Sequence, residues 1–167
     1  MQGIPPVIKL FNFAKKGLRF SGSYRIKDFP RIATLASNVE DNLTAELHFD
    51  IKEDKIPCIE GHIKADITLI CQRCLEDVKI QINPSFKLAY LQNEEQGLGL
   101  DSSYEIVENS EKEFSTIEFL TDEMLLSIPM IPMHPHQCSS FKDQQELKQQ
   151  ERENPFAILK NIKKSKE

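Results

Sequence analysis

The residues best able to do chemistry in this chain of 167 residues are four cysteines and a short histidine cluster. Cys71 and Cys74 are separated by two residues in Cys71-Gln72-Arg73-Cys74, and His134, His136 and Cys138 lie together in Met133-His134-Pro135-His136-Gln137-Cys138. Two thiolates at that spacing in a tight turn can bind one metal ion. A His and a Cys four positions apart on another segment can complete a tetrahedral set. Thiolate and imidazole donors suit Zn²⁺ better than Mg²⁺ or Ca²⁺. A site with four protein ligands is closed, so such a metal is structural rather than catalytic. His134 and His136 compete for one place in the set. The alternative is that Cys71 and Cys74 are plain turn thiols and both histidines are solvent-exposed. Cys58, just before a strand, reads as a packing thiol.

Signatures of catalysis are otherwise absent from the sequence. It contains no GxGxxG, GxxxxGK[ST], HExxH or GxSxG. A thioredoxin-like redox pair opens a helix within a βαβ unit, whereas Cys71 and Cys74 join two alternating strands. Asp122 and Glu123 are adjacent in a helix, so their carboxylates diverge by about 100°. Cys138 beside His134 or His136 has no orienting third group or oxyanion hole nearby in the sequence. The expectation is a protein that is not an enzyme.

The start of the chain has no apolar run preceded by lysines, and no stretch reaches the roughly 20 apolar residues of a membrane span. A cytoplasmic protein in a reducing compartment follows, and there spaced cysteines point to metal before disulfide. The composition, 40% hydrophobic and 28% charged, is that of a globular domain. The net charge of −5 argues against a wholly basic nucleic-acid binder, and no DNA partner is expected. The distribution of charge is more telling. Lys9, Lys15, Lys16, Arg19, Arg25, Lys27 and Arg31 face only Asp28, interleaved with Phe11, Phe13, Phe20, Tyr24 and Phe29. Basic residues release counterions from phosphates, and aromatic rings stack on unpaired bases. Most of those rings read as core. Lys15, Lys16, Arg19, Arg25 and Arg31, with Arg73 at the tip of the cysteine turn, are the candidates for RNA contact. Residues 94–123 are acidic and suit a solvated loop or a basic partner.

The elements that position these residues follow from periodicity. Val7 to Leu10 reads as a short strand, and Asn12 as the cap of a helical turn stopped by Gly17. Arg19 to Ile26 reads as extended with a bulge at Gly22. Asp28 reads as the start of a helix running to about Ser37, with Pro30 in its first turn. Leu43 to Lys52, Ile59 to Leu69 and Val78 to Tyr90 alternate apolar with polar residues, the mark of strands buried on one face. Glu53-Asp54-Lys55 and the cysteine turn connect them, which predicts an antiparallel meander. Residues 92–113 read as a flexible acidic loop. Thr116 to Ile128 reads as a helix capped by Ser115 or Thr116 and stopped by Pro129 and Pro132. Phe156 to Ile162 reads as a short last helix with Pro155 at its first position. The fold class expected is α+β: an antiparallel β-meander flanked by short helices. Residues 1–140 would form one domain, and 141–167 a polar linker with a C-terminal helix and basic tail.

Four segments together resemble the YceD family, the large ribosomal RNA subunit accumulation proteins. They are Lys16-Gly17-Leu18-Arg19-Phe20 with Gly22, Cys71-Gln72-Arg73-Cys74, Asp122 through His134, and Asn154-Pro155-Phe156-Ala157-Ile158-Leu159. The resemblance implies a non-enzymatic factor in ribosome biogenesis. Its partners would be large-subunit ribosomal RNA, a large-subunit ribosomal protein, or both. Some relatives carry a second cysteine pair after the Pro-x-x-Pro segment. His134 and Cys138 fall at the matching places here, which favours His134 over His136 as the fourth ligand.

Overall fold

The structure, a computed structural model, describes residues 3–52, 55–91, 100–108 and 112–138. The elements below all lie in the unit Met1–His134, and of the second unit, Pro135–Glu167, residues 135–138 are described. The tail expected over 141–167 and its last helix lie outside the described residues.

The alternating segments form the centre of one sheet. Strand β3 spans Asn42–Lys52 and β4 spans Ile56–Ile70. They pair antiparallel, with Leu43 opposite Ala65 and Phe49 opposite Ile59. The predicted strand from Val78 to Tyr90 is two: β5, Asp77–Ile82, and β6, Ser85–Leu91. Both pair with β4 in one continuous register, Ile82 opposite Ala65 and Ser85 opposite His62. The break falls at Asn83-Pro84, because proline cannot donate to the ladder. Its carbonyl still accepts from Ile63 N at 3.0 Å. Strand β2, Arg19–Arg25, adds to β3 on the other side. Its register is regular through Gly22 opposite Ala45, so the bulge expected there is absent. Gly22 serves a close approach instead: a Cβ would stand 2.8 Å from the ring of Tyr24.

The acidic stretch contains two strands that periodicity missed. Strand β7, Glu105–Glu108, runs parallel to β6 at the sheet edge. Strand β8, Glu113–Ser115, pairs antiparallel with β1, Val7–Lys9, in a small second sheet. Residues 92–99 and 109–111 of the expected loop lie outside the described residues. The architecture is α+β with a dominantly antiparallel sheet and short helices.

One face of the sheet holds the core: Leu43, Leu47, Phe49, Ile59, Ile63 and Ile67 are all buried there. Helix α1, Leu10–Lys15, buries Leu10 and Ala14. Phe13 on this helix meets Phe20 and Phe49 with ring centres 5.1 and 5.3 Å apart. Asn12 lies inside α1 and does not cap it. The helix start is satisfied instead by backbone, with Leu10 N donating to Lys112 O at 3.1 Å. Gly17, at φ +58°, ends it in the left-handed region that glycine tolerates. Helix α2 is only Pro30–Ala33. Asp28 is drawn back to accept from Arg25 N at 2.9 Å, which closes a 3-10 turn over Ile26–Asp28 and leaves Pro30 to open the helix. Helix α3, Thr116–Ser127, is capped by Ser115, whose Oγ accepts from Glu118 N. Leu120 and Met124 are buried, and Phe119 meets Phe86 edge-on at 5.6 Å.

Gly61 on β4 makes that last contact possible. A Cβ at Gly61 would run into the ring of Phe86 on β6. Gly61→Ala therefore forces the ring to move in a packed core, and urea unfolding should show a loss of about 1–3 kcal/mol.

Candidate metal centre

The hairpin between β4 and β5 ends in the cysteine turn. Cys71 N donates to Glu76 O at 2.8 Å, and Leu75 N donates to Cys71 O at 2.9 Å. Leu75 closes the turn at φ +63°, a conformation that costs a non-glycine residue about 1–2 kcal/mol. Strain of that kind persists where surrounding contacts over-determine the backbone. The contact is the segment that follows α3. Gln72 N donates to Pro132 O at 2.8 Å, and Arg73 donates through Nη2 to His134 O at 2.9 Å. Ile128 leaves the helix in an extended conformation, so residues 129–134 run back alongside the turn.

Cys74 Sγ lies 3.4 Å from His134 Nδ1. His134 Nε2 lies 3.1 Å from the carbonyl oxygen of Asp77. A carbonyl can only accept, so Nε2 carries the proton and the Nδ1 lone pair faces the sulfur. A backbone acceptor fixing the far ring nitrogen is the usual support of a metal-binding histidine. The ligand atoms of Cys71, Cys74 and His134 all lie within 4.8 Å of one another. Cys138, four residues beyond His134, belongs to the second unit. His136 is not in the set and is exposed.

Cys71 is fully buried. Burial pushes its thiol up, but hydrogen bonds from the backbone of Cys74, Arg73 and His134 and from the Cys74 side chain outweigh it, and the pKa falls to about 5. A thiolate at neutral pH, away from water, calls for a cation. The donors fit Zn²⁺: bonds of about 2.3 Å to sulfur and 2.0 Å to nitrogen put neighbouring tetrahedral donors about 3.5 Å apart. The observed sulfur–nitrogen distance of 3.4 Å matches that edge. Two thiolates and an imidazole form a set that could hold a metal.

The six basic residues singled out for RNA are not equivalent. Arg31 pairs with Asp122 at 2.5 Å, Arg25 donates to Glu40 O at 2.7 Å, and Arg73 is held by His134 O. Lys15, Lys16 and Arg19 make no ion pair among the described residues. They lie together where α1 ends and β2 begins, all exposed. Sequence reading missed the Asp77 carbonyl, because a backbone atom carries no residue signature.

Purified chain supplied with zinc should hold about one Zn²⁺ per molecule by elemental analysis. Cys71→Ser and His134→Ala should each lose it, while His136→Ala should keep it. Retention by His134→Ala would show that another donor completes the set.

A curated protein of Haemophilus influenzae, "Large ribosomal RNA subunit accumulation protein YceD", is 28% identical over 167 residues, covering 96% of each chain. No solved structure matches. Residues 59–163, which include the β4–β5 hairpin, α3 and all four candidate ligands, match the family described as large ribosomal RNA subunit accumulation protein YceD. The chain belongs to the YceD family.

Proposed function

We propose that this protein promotes the accumulation of large-subunit ribosomal RNA by binding that RNA, without catalysing a reaction on it. The family is named for accumulation of that RNA and not for an enzymatic activity. The observation that carries the binding is the cluster of Lys15, Lys16 and Arg19. These are exposed cations with no ion pair among the described residues, on a short helix–turn–strand that the core holds rigid. Arg25, Arg31 and Arg73 contribute less, since each would have to give up an internal acceptor. In this reading a Zn²⁺ on Cys71, Cys74, His134 and Cys138 is structural. It holds the cysteine turn against the segment after α3, relieves the buried charge at Cys71 and leaves Leu75 in its strained conformation. The protein acts in the cytoplasm, where ribosomes are assembled.

The acidic stretch offers a second partner site. Strand β7 presents Glu105 and Glu108 at the sheet edge, both exposed, and a basic ribosomal protein would meet them there. This contact would add to RNA binding rather than replace it.

The test is fluorescence anisotropy of the full chain with labelled fragments of large-subunit ribosomal RNA across a salt series. Changing Lys15, Lys16 and Arg19 to Ala should weaken binding and reduce the slope of log affinity against log salt by about 2, the share of three phosphate contacts on a single strand. An unchanged slope would place the RNA surface elsewhere. If the wild-type chain binds no fragment, the reading is lost.

A further inference from the structure

The face of the sheet opposite the core carries a cleft of about 480 Å³. Antiparallel register builds its floor. Arg19 on β2 stands opposite His48 on β3, which stands opposite Glu60 on β4, which stands opposite Lys87 on β6. The next row holds Glu46, His62 and Ser85. Ser103 lines the cleft from the segment leading into β7.

These groups are unequally committed. Glu60 accepts from the hydroxyl of Tyr104 and also faces Lys52 at 3.8 Å and His48 at 4.0 Å. Its charge is therefore answered within the protein. His62 shares a hydrogen bond with Ser85 at 3.0 Å. Arg19 and Glu46 have no ion pair among the described residues, and Lys87 faces the ring of Tyr104 at 5.6 Å and lies near Glu60 and Asp101, whose carboxyls it helps hold below their usual range. Glu105 stands opposite Leu88 in the register, on the core face, close enough to Glu123 to push its carboxyl up. The cleft thus offers two cations, Arg19 and Lys87, and the carboxylate of Glu46 to a ligand. A bare polyanion would be repelled by that carboxylate, and a polycation by Arg19 and Lys87. A ligand with an anionic group at one end and N–H donors at the other satisfies both.

A ribonucleotide is such a ligand, and the position of the cleft favours it over a peptide. Arg19 is both part of the floor and the end of the Lys15, Lys16, Arg19 cluster. An RNA strand following those lysines would therefore arrive at the cleft mouth. The volume lies in the range of about 300–1,000 Å³ typical of small-ligand sites. Single-stranded RNA is read through unstacked bases whose edges are hydrogen-bonded by side chains. We propose that the cleft takes one unpaired nucleotide of single-stranded RNA, with its phosphate on Arg19 and Lys87 and an amino-bearing base edge on Glu46. Guanine is the best fit, since its ring N–H and amino group lie side by side and can donate together to one carboxylate. Uracil has no amino group to offer. This inference rests on the RNA-binding reading and names where a base is recognised.

The experiment titrates the full chain with guanosine monophosphate and with uridine monophosphate, followed by nitrogen–proton correlation spectra. Shifts should cluster around Arg19, Glu46, Glu60 and Lys87, with guanosine monophosphate bound about tenfold more tightly, the worth of one hydrogen bond to a charged group. Glu46→Gln should lose that preference, while Arg19→Ala, Lys87→Ala should weaken both nucleotides alike. Equal binding of the two nucleotides, or shifts outside the cleft, would overturn the proposal. Shifts confined to Lys15 and Lys16 on adding ribosomal RNA fragments would overturn the cleft and leave RNA binding standing. Failure to bind any RNA would remove both readings. Perturbation of these residues by an arginine-rich peptide and by neither nucleotide would overturn it in favour of a protein partner.

Discussion

The register of β4 is the constraint on which both faces of the sheet depend. This strand is 15 residues long and pairs with β3 on one side and with β5 and β6 on the other. Because side chains alternate across a pleat, a slip of one residue would exchange the faces. Ile59, Ile63 and Ile67 would turn outward, and Glu60, His62 and Asp66 would enter the core. The same register places Gly61 under Phe86, and it brings Cys71 to the hairpin tip, where the chain can turn. Burial of the apolar row therefore holds the cleft floor and the cysteine turn in place as well.

At the hairpin tip the forces oppose one another. Cys71 has no exposed surface, yet backbone N–H groups favour its charged form. Leu75 sits in a conformation that its side chain disfavours. His134 has its proton fixed on the far nitrogen by Asp77 O. Of these, the charge at Cys71 is what a divalent cation at the centre would offset. Packing alone does not remove the charge. That is why the metal reading rests on the sulfur environment as well as on the spacing of the cysteines.

The parts of this arrangement legible in the sequence were those with a local signal. Leu43 to Lys52 and Ile59 to Leu69 alternate without interruption, so β3 and β4 could be read directly. The grouping of the cysteine turn with the His134–Cys138 segment rested on ligand chemistry and spacing, and the choice of His134 over His136 on the family resemblance. Strands β7 and β8 were not legible, because each is short, at most four residues, and owes its conformation to a distant partner, β6 or β1. Asp28 and Asn12 misled because both have the right side chain for a cap, but Asp28 accepts from Arg25 N instead and the start of α1 is satisfied by the backbone of Lys112. The cleft was invisible because it exists only once Arg19, His48, Glu60 and Lys87 are brought side by side from four strands.

The distance along the chain between Cys74 and His134 has a consequence for how the protein comes to be folded. The two are 60 residues apart, with the rest of the hairpin, β6 and α3 between them. The cysteine turn is local and can close early, whereas His134 arrives only after that long loop has been drawn shut, at an entropic cost that grows slowly with its length. A metal held first by the two turn cysteines would wait there as a half-made site and capture His134 when it comes. The supply of zinc in the cell would then act as a checkpoint on maturation, and metal starvation would lower the amount of folded protein before it altered anything the folded protein does.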